Sequence, residues 1–287
     1  MKHLITICSF VLILITGHFC SLNQPPKSIC NIIENVERRI PVGSNTGLTE
    51  KEFNKVLDDF TKVYAPIVKE KGYRLSIDRK WSSDTINAST TVSGDKWIIY
   101  AYGGLARYPS MDSDTYLAVM LHEIGHHLGG YPARGWASNE GQSDYYATLK
   151  GMRIMRDAGY KFKNNINNSV IPESVVKKCT IQHKTTNDIQ FCVKSAAVGH
   201  ALASVLNSLQ NSSVPVDFDK ESGPKVDKTN NNHPKAQCRL HTYLNGAICG
   251  ASHLEEFSMD SPGPGACAEE KGDIIGVRDR CWYKPKE

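Results

Sequence analysis

The apolar positions between residues 49 and 72 recur at helical spacing. Thr49 and Glu52 form a capping box ahead of this stretch and Gly72 follows it, so the pattern predicts one amphipathic helix with a defined beginning and end. The apolar positions that share its predicted buried face are Phe53, Val56, Leu57, Phe60, Tyr64, Ile67 and Val68.

Three stretches after this helix have the pattern of strands. Apolar and polar residues alternate at 73–77 and again at 86–92, and residues 97–102 (WIIYAY) form a continuous β-prone run. We expect three short strands in one antiparallel sheet.

Helical patterns return after the strands. Asp112 can cap a helix that Gly129–Gly130 ends, and a second helix should begin near Asn139. Residues 191–209 form a third, Ala-rich helical segment. Residues 211–232 are rich in Pro, Gly and Asn, which predicts a polar loop.

These elements predict a mainly helical α+β domain with a small antiparallel sheet. We place this domain at residues 48–257, with the loop 211–232 inside it. Residues 21–47 are polar and irregular, and we expect a surface arm there. Residues 258–287 read as a loop-rich tail that contains cysteines.

The first residues have the pattern of an export signal. Lys2 precedes an uncharged apolar run from Leu4 to Thr16, which is shorter than the about 20 residues that a membrane-spanning helix needs. We therefore expect residues 1–20 to be a signal peptide and the protein to be periplasmic or secreted. Lipidation of Cys20 stays open, and an uncleaved or lipidated N-terminus is the one route by which we expect membrane association.

The cysteines agree with export. The chain has nine of them and no C-x-x-C pair, which argues against a cysteine zinc ribbon and a thioredoxin-like redox site. In an oxidising compartment we expect the six cysteines after residue 178 to form disulfides, although their connectivity stays open. These six are Cys179, Cys192, Cys238, Cys249, Cys267 and Cys281.

The net charge of the chain bears on whether the protein binds nucleic acid. The formal net charge is +4 over 287 residues, and no dense run of Lys and Arg occurs. A nucleic-acid interface would need such a basic surface, so we expect no nucleic-acid partner.

The string His-Glu-Ile-Gly-His at residues 122–126 carries the candidate chemistry. Residues four apart on a helix share one face, so His122 and His126 can grip a single metal ion. Glu123 is turned aside from the ligands, where it can take a proton from the attacking water. The motif is short and common by chance, so a third ligand has to be identified.

Two known continuations of this motif supply a third ligand. The metzincin pattern requires a histidine where this chain has Pro132, which excludes that class. The alternative is a glutamate from a following helix, and Glu140 fits, with Asp144 one turn further on the same helical face. We expect Glu140 to complete a site for one Zn²⁺ and Asp144 to accept the spare N–H of a liganding histidine.

The N-E-x-x-S-D string at residues 139–144 is similar to that of thermolysin-like gluzincins. The ensemble resembles the CAAX prenyl endopeptidase and heat-shock membrane protease family, which carries an Asn-Ala pair on a strand before the zinc helix and a later H-P-x-x-x-x-R element. The matching residues here are Asn87-Ala88, His233-Pro234 and Arg239. The resemblance covers about half of the chain and implies a zincin-like (gluzincin) fold. The membrane spans of the integral members are missing, and the cysteine-rich end is outside the family pattern.

The resemblance also implies roles for the later motifs. His233 and Arg239 would complete the active site by stabilising the negative charge that develops on the substrate carbonyl. The structural alternative is that His233 caps a helix and Arg239 pairs with a surface carboxylate. We further expect the strand with Asn87-Ala88 to be a sheet edge beside the zinc, where an extended substrate adds as another strand.

The sequence thus predicts a zinc-dependent endopeptidase that hydrolyses exported or unfolded polypeptides. One alternative is a binding or chaperone protein that keeps the fold without turnover; Glu123 argues against it, because a structural zinc site does not need a general base. The other is a zinc amidase acting on cell-wall material, and since the chemistry is the same for any amide, only the resemblance separates the two.

Overall fold

The computed structural model describes residues 29–34, 38–44, 46–163 and 171–286. The expected signal peptide at 1–20, with Cys20, lies outside these residues. Within them the chain is a mixed α/β structure in which helices pack against a small four-stranded sheet, with a separate two-stranded ribbon.

The first helix begins and packs as its periodicity predicts. α1 spans Glu50–Glu70, and the side chains of Thr49 and Glu52 cap each other's backbone N–H groups at its start. The predicted apolar face is buried at Phe53, Val56, Leu57, Phe60, Tyr64 and Val68. This face packs against the sheet and the central helix, which stabilises α1 far more than helix propensity alone.

The main sheet has four strands in the order β1-β3-β4-β2. They are β1 Cys30–Asn31, β2 Arg74–Lys80, β3 Ala88–Ser93 and β4 Lys96–Tyr102.

The prediction of an antiparallel sheet is wrong for β2, which runs parallel to β4 with Leu75 opposite Trp97. β3 and β4 form a tight hairpin, and residue Gly94 in its turn has a positive φ of 58°. The connection between β2 and β3, residues 81–87, is too long for a second tight hairpin. It leaves room between these two strands, and β4 lies there. The sheet is therefore mixed.

The described residues 29–34 and 38–44 differ from the irregular surface arm that the sequence predicts. Cys30–Asn31 pairs antiparallel with β3, and Arg39 forms an isolated bridge with Thr85. The side chains of Ile32, Ile33 and Ile40 are buried. These positions are therefore paired with the sheet or buried in the core.

The remaining helices form one layer around a central helix. After the short α2 (Gly103–Ala106), the central α3 begins at the Asp112 cap, and it packs against α1, α4, α7 and the sheet. A two-stranded ribbon, β5 Ala133–Arg134 with β6 Ala137–Ser138, joins α3 to α4. The helices from α3 on are α3 Ser113–Leu128, α4 Glu140–Tyr146, a π-turn Ala147–Gly151, α5 Met152–Asp157, α6 Glu173–Gln182, α7 Thr186–Leu209 and α8 Ala236–Ile248.

Helix α7 is long and apolar enough to cross a membrane, by length and composition. Half of that apolar stretch is buried inside the protein, where α7 packs against α3, α6 and α8. The apolar composition of α7 therefore fits a helix in the protein core as well as a membrane-spanning helix.

Disulfides tie the tail and the outer helices together, as predicted for an oxidising compartment. Cys179–Cys192 joins α6 to α7, Cys238–Cys281 joins α8 to the tail, and Cys249–Cys267 closes the segment between them. All six cysteines that the sequence predicts to be oxidised are paired. Disulfides are rare in reducing compartments, which gives weak support to export.

We expect the double substitution Cys238→Ser/Cys281→Ser to lower the unfolding free energy by about 2–4 kcal/mol, because this bond constrains a long loop in the unfolded chain. Urea unfolding measures the loss, and limited proteolysis should cut the tail beyond residue 258. The control Cys179→Ser/Cys192→Ser removes a disulfide that does not touch the tail. Equal tail proteolysis in both variants would contradict the prediction.

Candidate metal centre

Two histidines and a glutamate meet at a buried point between α3 and α4. His122 and His126 lie one turn apart on α3, and Glu140 is the first residue of α4, behind the Asn139 cap. One ligand atom from each lies within 4.8 Å of the other two. Nε2 of His122 is 3.2 Å from Oε2 of Glu140, and Nε2 of His126 is 3.7 Å from Oε1. The structure thus brings together the three residues that the sequence predicts as metal ligands.

The atoms that face one another form no hydrogen bond within the described part of the chain. Nε2 of both histidines and both carboxylate oxygens of Glu140 are buried without a hydrogen-bond partner in the part of the chain that the structure describes. Leaving four such atoms buried and unpaired is unfavourable, and a cation among them would satisfy all four. The group therefore could hold a metal ion.

The other ring nitrogens fix the orientation of both histidines. Nδ1 of His122 lies 2.7 Å from Oδ1 of Asp144, and Nδ1 of His126 lies 2.8 Å from the carbonyl oxygen of Ser138. A carboxylate and a carbonyl only accept hydrogen bonds, so the proton of each ring is on Nδ1. When the rings are neutral, each Nε2 lone pair is therefore directed at the gap between the ligands, and Asp144 makes the contact predicted for it.

Asp144 is itself held by two residues of α8. Arg239 donates from Nε to Oδ2 and from Nη2 to Oδ1, each at 2.7 Å, and the hydroxyl of Tyr243 donates to Oδ1. All three side chains are fully buried or nearly so. The alternative of a surface carboxylate for Arg239 is therefore wrong. Tyr243 was missed, although its place one helical turn after Arg239 was a usable signal.

Charges in this network oppose the effect of burial. Burial lowers the pKa of His122, but the carboxylates of Asp144 and Glu140 together outweigh it and raise that pKa to about 9. Burial raises the pKa of Asp144, but Arg239 and His122 hold it below its ordinary value. Burial lowers the pKa of His126 to about 4. Metal binding at Nε2 of His122 therefore has to displace a proton, so affinity should increase with pH.

Glu123 lies one position after His122, rotated by about 100° around the helix axis from that ligand. Its carboxylate is fully buried, and neither oxygen has a hydrogen-bond partner among the described residues. Burial raises the pKa of Glu123 to about 8. A carboxyl group that exchanges a proton near neutral pH is suited to general base chemistry.

His233 reaches the same centre from the loop before α8. Its Nε2 is 3.4 Å from Oε2 of Glu140 and 2.6 Å from the carbonyl oxygen of Asn31. The alternative that His233 caps α8 is wrong, because Lys235 is the residue that precedes the first helical position. The loop is fixed by Asn139, whose Nδ2 donates to the carbonyl of Asn230.

The strand edge at Asn87-Ala88 is not free, which corrects the expectation of an open edge. The N–H of Ile32 donates to the carbonyl of Ala88 at 3.0 Å, and Nδ2 of Asn87 donates to the carbonyl of Ile33 at 3.3 Å. The cause is the pairing of β1 with β3, which a two-residue strand did not reveal in the sequence.

The tail supports helix α4, which carries Glu140. The sequence did not reveal this support. Nε of Arg278 donates to Oε1 of Gln142, and the buried ring of Trp282 lies directly against Gly141. Any side chain at position 141 would collide with that ring. The tail is therefore part of the site's framework.

Comparison with protein families, curated proteins and solved structures gives no match for this chain. Its function therefore has to be argued from the residues of the centre and their geometry.

Proposed function

We propose that this protein is a zinc-dependent endopeptidase of the gluzincin type that acts on exported or unfolded polypeptides. One observation carries the proposal: a buried, unpaired carboxylate, Glu123, lies beside a buried cluster of unpaired ligand atoms from His122, His126 and Glu140. A purely structural metal site is closed by four protein ligands and has no need of an extra buried carboxylate.

Zinc is the ion that we propose for the cluster. Two imidazole nitrogens and one carboxylate are the donor set of catalytic zinc sites, which keep a coordination position open. When bound, Zn²⁺ polarises the carbonyl of a substrate and lowers the pKa of water.

Each side chain of the centre then has its own role in hydrolysis. Glu123 takes a proton from the attacking water and returns it to the nitrogen of the departing amine. His233 donates from Nε2 to the carbonyl oxygen as negative charge develops there, and Nη1 of Arg239 donates to the peptide backbone. In the structure both groups already contact backbone carbonyls, each at 2.6 Å. Asp144 keeps the His122 ring in place.

The experiment that tests this proposal combines zinc content with hydrolysis of an unfolded protein. Purified protein should contain about one zinc per chain, lose activity on chelation and regain it with added Zn²⁺. Cell-wall fragments are the second substrate. Hydrolysis of those fragments alone would establish an amidase.

Asp144→Asn is expected to weaken zinc affinity by about 10–100-fold, because the amide is a poorer acceptor for the Nδ1 proton of His122. Competition with a zinc chelator measures the affinity on folded protein. The matched control is Asp157→Asn, since Asp157 makes the same kind of contact with His253, at 2.7 Å, away from the centre. Equal affinity in both variants would remove Asp144 from the metal site.

A further inference from the structure

The backbone of residues 31–33 is bound by the residues that the proposed mechanism assigns to the substrate. Nε2 of His233 lies 2.6 Å from the carbonyl oxygen of Asn31, and Nη1 of Arg239 donates to the carbonyl of Ile32 at 2.6 Å. Three consecutive carbonyl groups are bound in this way, the third by Asn87, which donates to Ile33.

Ordinary strand pairing does not account for these contacts. The ladder between β1 and β3 reaches only to the N–H of Ile32, because the N–H of Ala88 is bound by the side chain of its own neighbour, Asn87. The carbonyls of Asn31 and Ile32 are bound by side chains from the loop before α8 and from α8, and the carbonyl of Ile33 is bound by Asn87, just before β3. An edge strand does not need three such side chains, whereas a cleft that binds an extended peptide does.

The position of the Asn31 carbonyl relative to the candidate metal centre is also defined. His233 joins the Asn31 carbonyl to the centre, since the same Nε2 is 3.4 Å from Oε2 of Glu140. The Asn31–Ile32 peptide bond therefore lies next to the residue that the proposed mechanism assigns to the substrate carbonyl. The Ile32 side chain, which follows that bond, is completely buried.

We propose that residues 30–33 occupy the peptide cleft in place of a substrate and keep the enzyme latent until they leave it. This proposal rests on the function proposed above. It also names the substrate class, because the occupant enters as the strand Cys30–Asn31 and places an aliphatic side chain, Ile32, directly after the bond beside His233. Substrates should therefore be unfolded segments with Ile, Leu or Val at that position.

The test measures binding of a labelled peptide, Ile-Ser-Asn-Ile-Ile-Glu, which copies residues 29–34 with Ser for Cys. Binding is measured by fluorescence anisotropy on zinc-loaded protein that carries Glu123→Gln, so that no turnover interferes. The added substitution Ile32→Glu places a charge in a fully buried site and should expel the segment. The matched control is Ile29→Glu, which adds the same charge to an exposed position of the same segment.

We expect the peptide to bind the Ile32→Glu protein at least about 10-fold more tightly than the Ile29→Glu protein. Equal affinity, or no binding to either protein, overturns the proposal. If Ile32→Glu does not fold, Ile32→Ala replaces it, with a smaller gain in the same direction expected.

A second readout separates this proposal from the proposed function. With Glu123 intact, Ile32→Glu should hydrolyse an unfolded protein at least about 10-fold faster than Ile29→Glu, since its cleft is free. A gain in peptide binding with no hydrolysis by any variant would support the occupied cleft and contradict the endopeptidase proposal. Equal hydrolysis by both variants together with equal peptide binding would support the endopeptidase proposal and contradict the occupied cleft.

Discussion

Glu123→Gln is expected to lose at least about 10²–10⁴-fold in turnover while it keeps its zinc and its melting temperature. Glutamine has the size of glutamate but cannot take a proton from water, and a positioned general base contributes about that factor. The metal should stay, because both histidines and Glu140 are unchanged. Since Glu123 has no hydrogen-bond partner among the described residues, its replacement breaks no observed contact.

The measurement should be made both in the full chain and in the Ile32→Glu variant, because latency would lower the wild-type rate. The comparison variant is His122→Ala, which should lose zinc and activity together. Turnover by Glu123→Gln within a few-fold of the parent would remove Glu123 from the mechanism. Loss of zinc from Glu123→Gln would instead make Glu123 a ligand.

Arg239→Met should lower the unfolding free energy by about 3–5 kcal/mol, the largest change in stability that we expect from one substitution. Arg239 and Asp144 form a fully buried, two-point ion pair. Removing the guanidinium leaves a buried carboxylate without its main counter-charge, and such half-pairs are strongly destabilising. Urea unfolding of metal-free protein at neutral pH measures the change.

The matched control for this prediction is the double variant Asp144→Asn/Arg239→Met, in which no charge is left unpaired. It should recover a large part of the lost free energy. The pKa of Asp144 is below its ordinary value of 3.8 in the folded state. The contribution of the pair is therefore present above that pH and lost as the pH falls through the folded-state pKa. A loss under about 1 kcal/mol at neutral pH would show that the pair does not stabilise the fold.

The sequence predicted what depends on local spacing. Helix α1 and the cap at Asn139 follow from periodicity and capping chemistry. The convergence of His122, His126 and Glu140 follows because each residue occupies a defined face of a helix, and the contact of Asp144 with His122 follows from its place one turn after Glu140.

What the sequence did not reveal depends on pairing between distant segments. The parallel register of β2 and the insertion of residues 30–33 beside β3 are decided by which edge a strand reaches, and local alternation does not encode that choice. The partner of Arg239 lies 95 residues away and buried, so spacing could not identify it. Arg278 and Trp282 likewise support α4 from a tail that looked like a separate region.

The disulfide between Cys238 and Cys281 has a consequence for the order in which the protein matures. Cys238 is next to Arg239, and Cys281 is next to Trp282, whose ring supports the start of α4 at Gly141. A chain is synthesised from its N-terminus, so this bond cannot form until Cys281 has emerged, long after the residues of the centre itself. The candidate metal ligands on α3 and α4 are therefore made well before the bond that completes the support of α4.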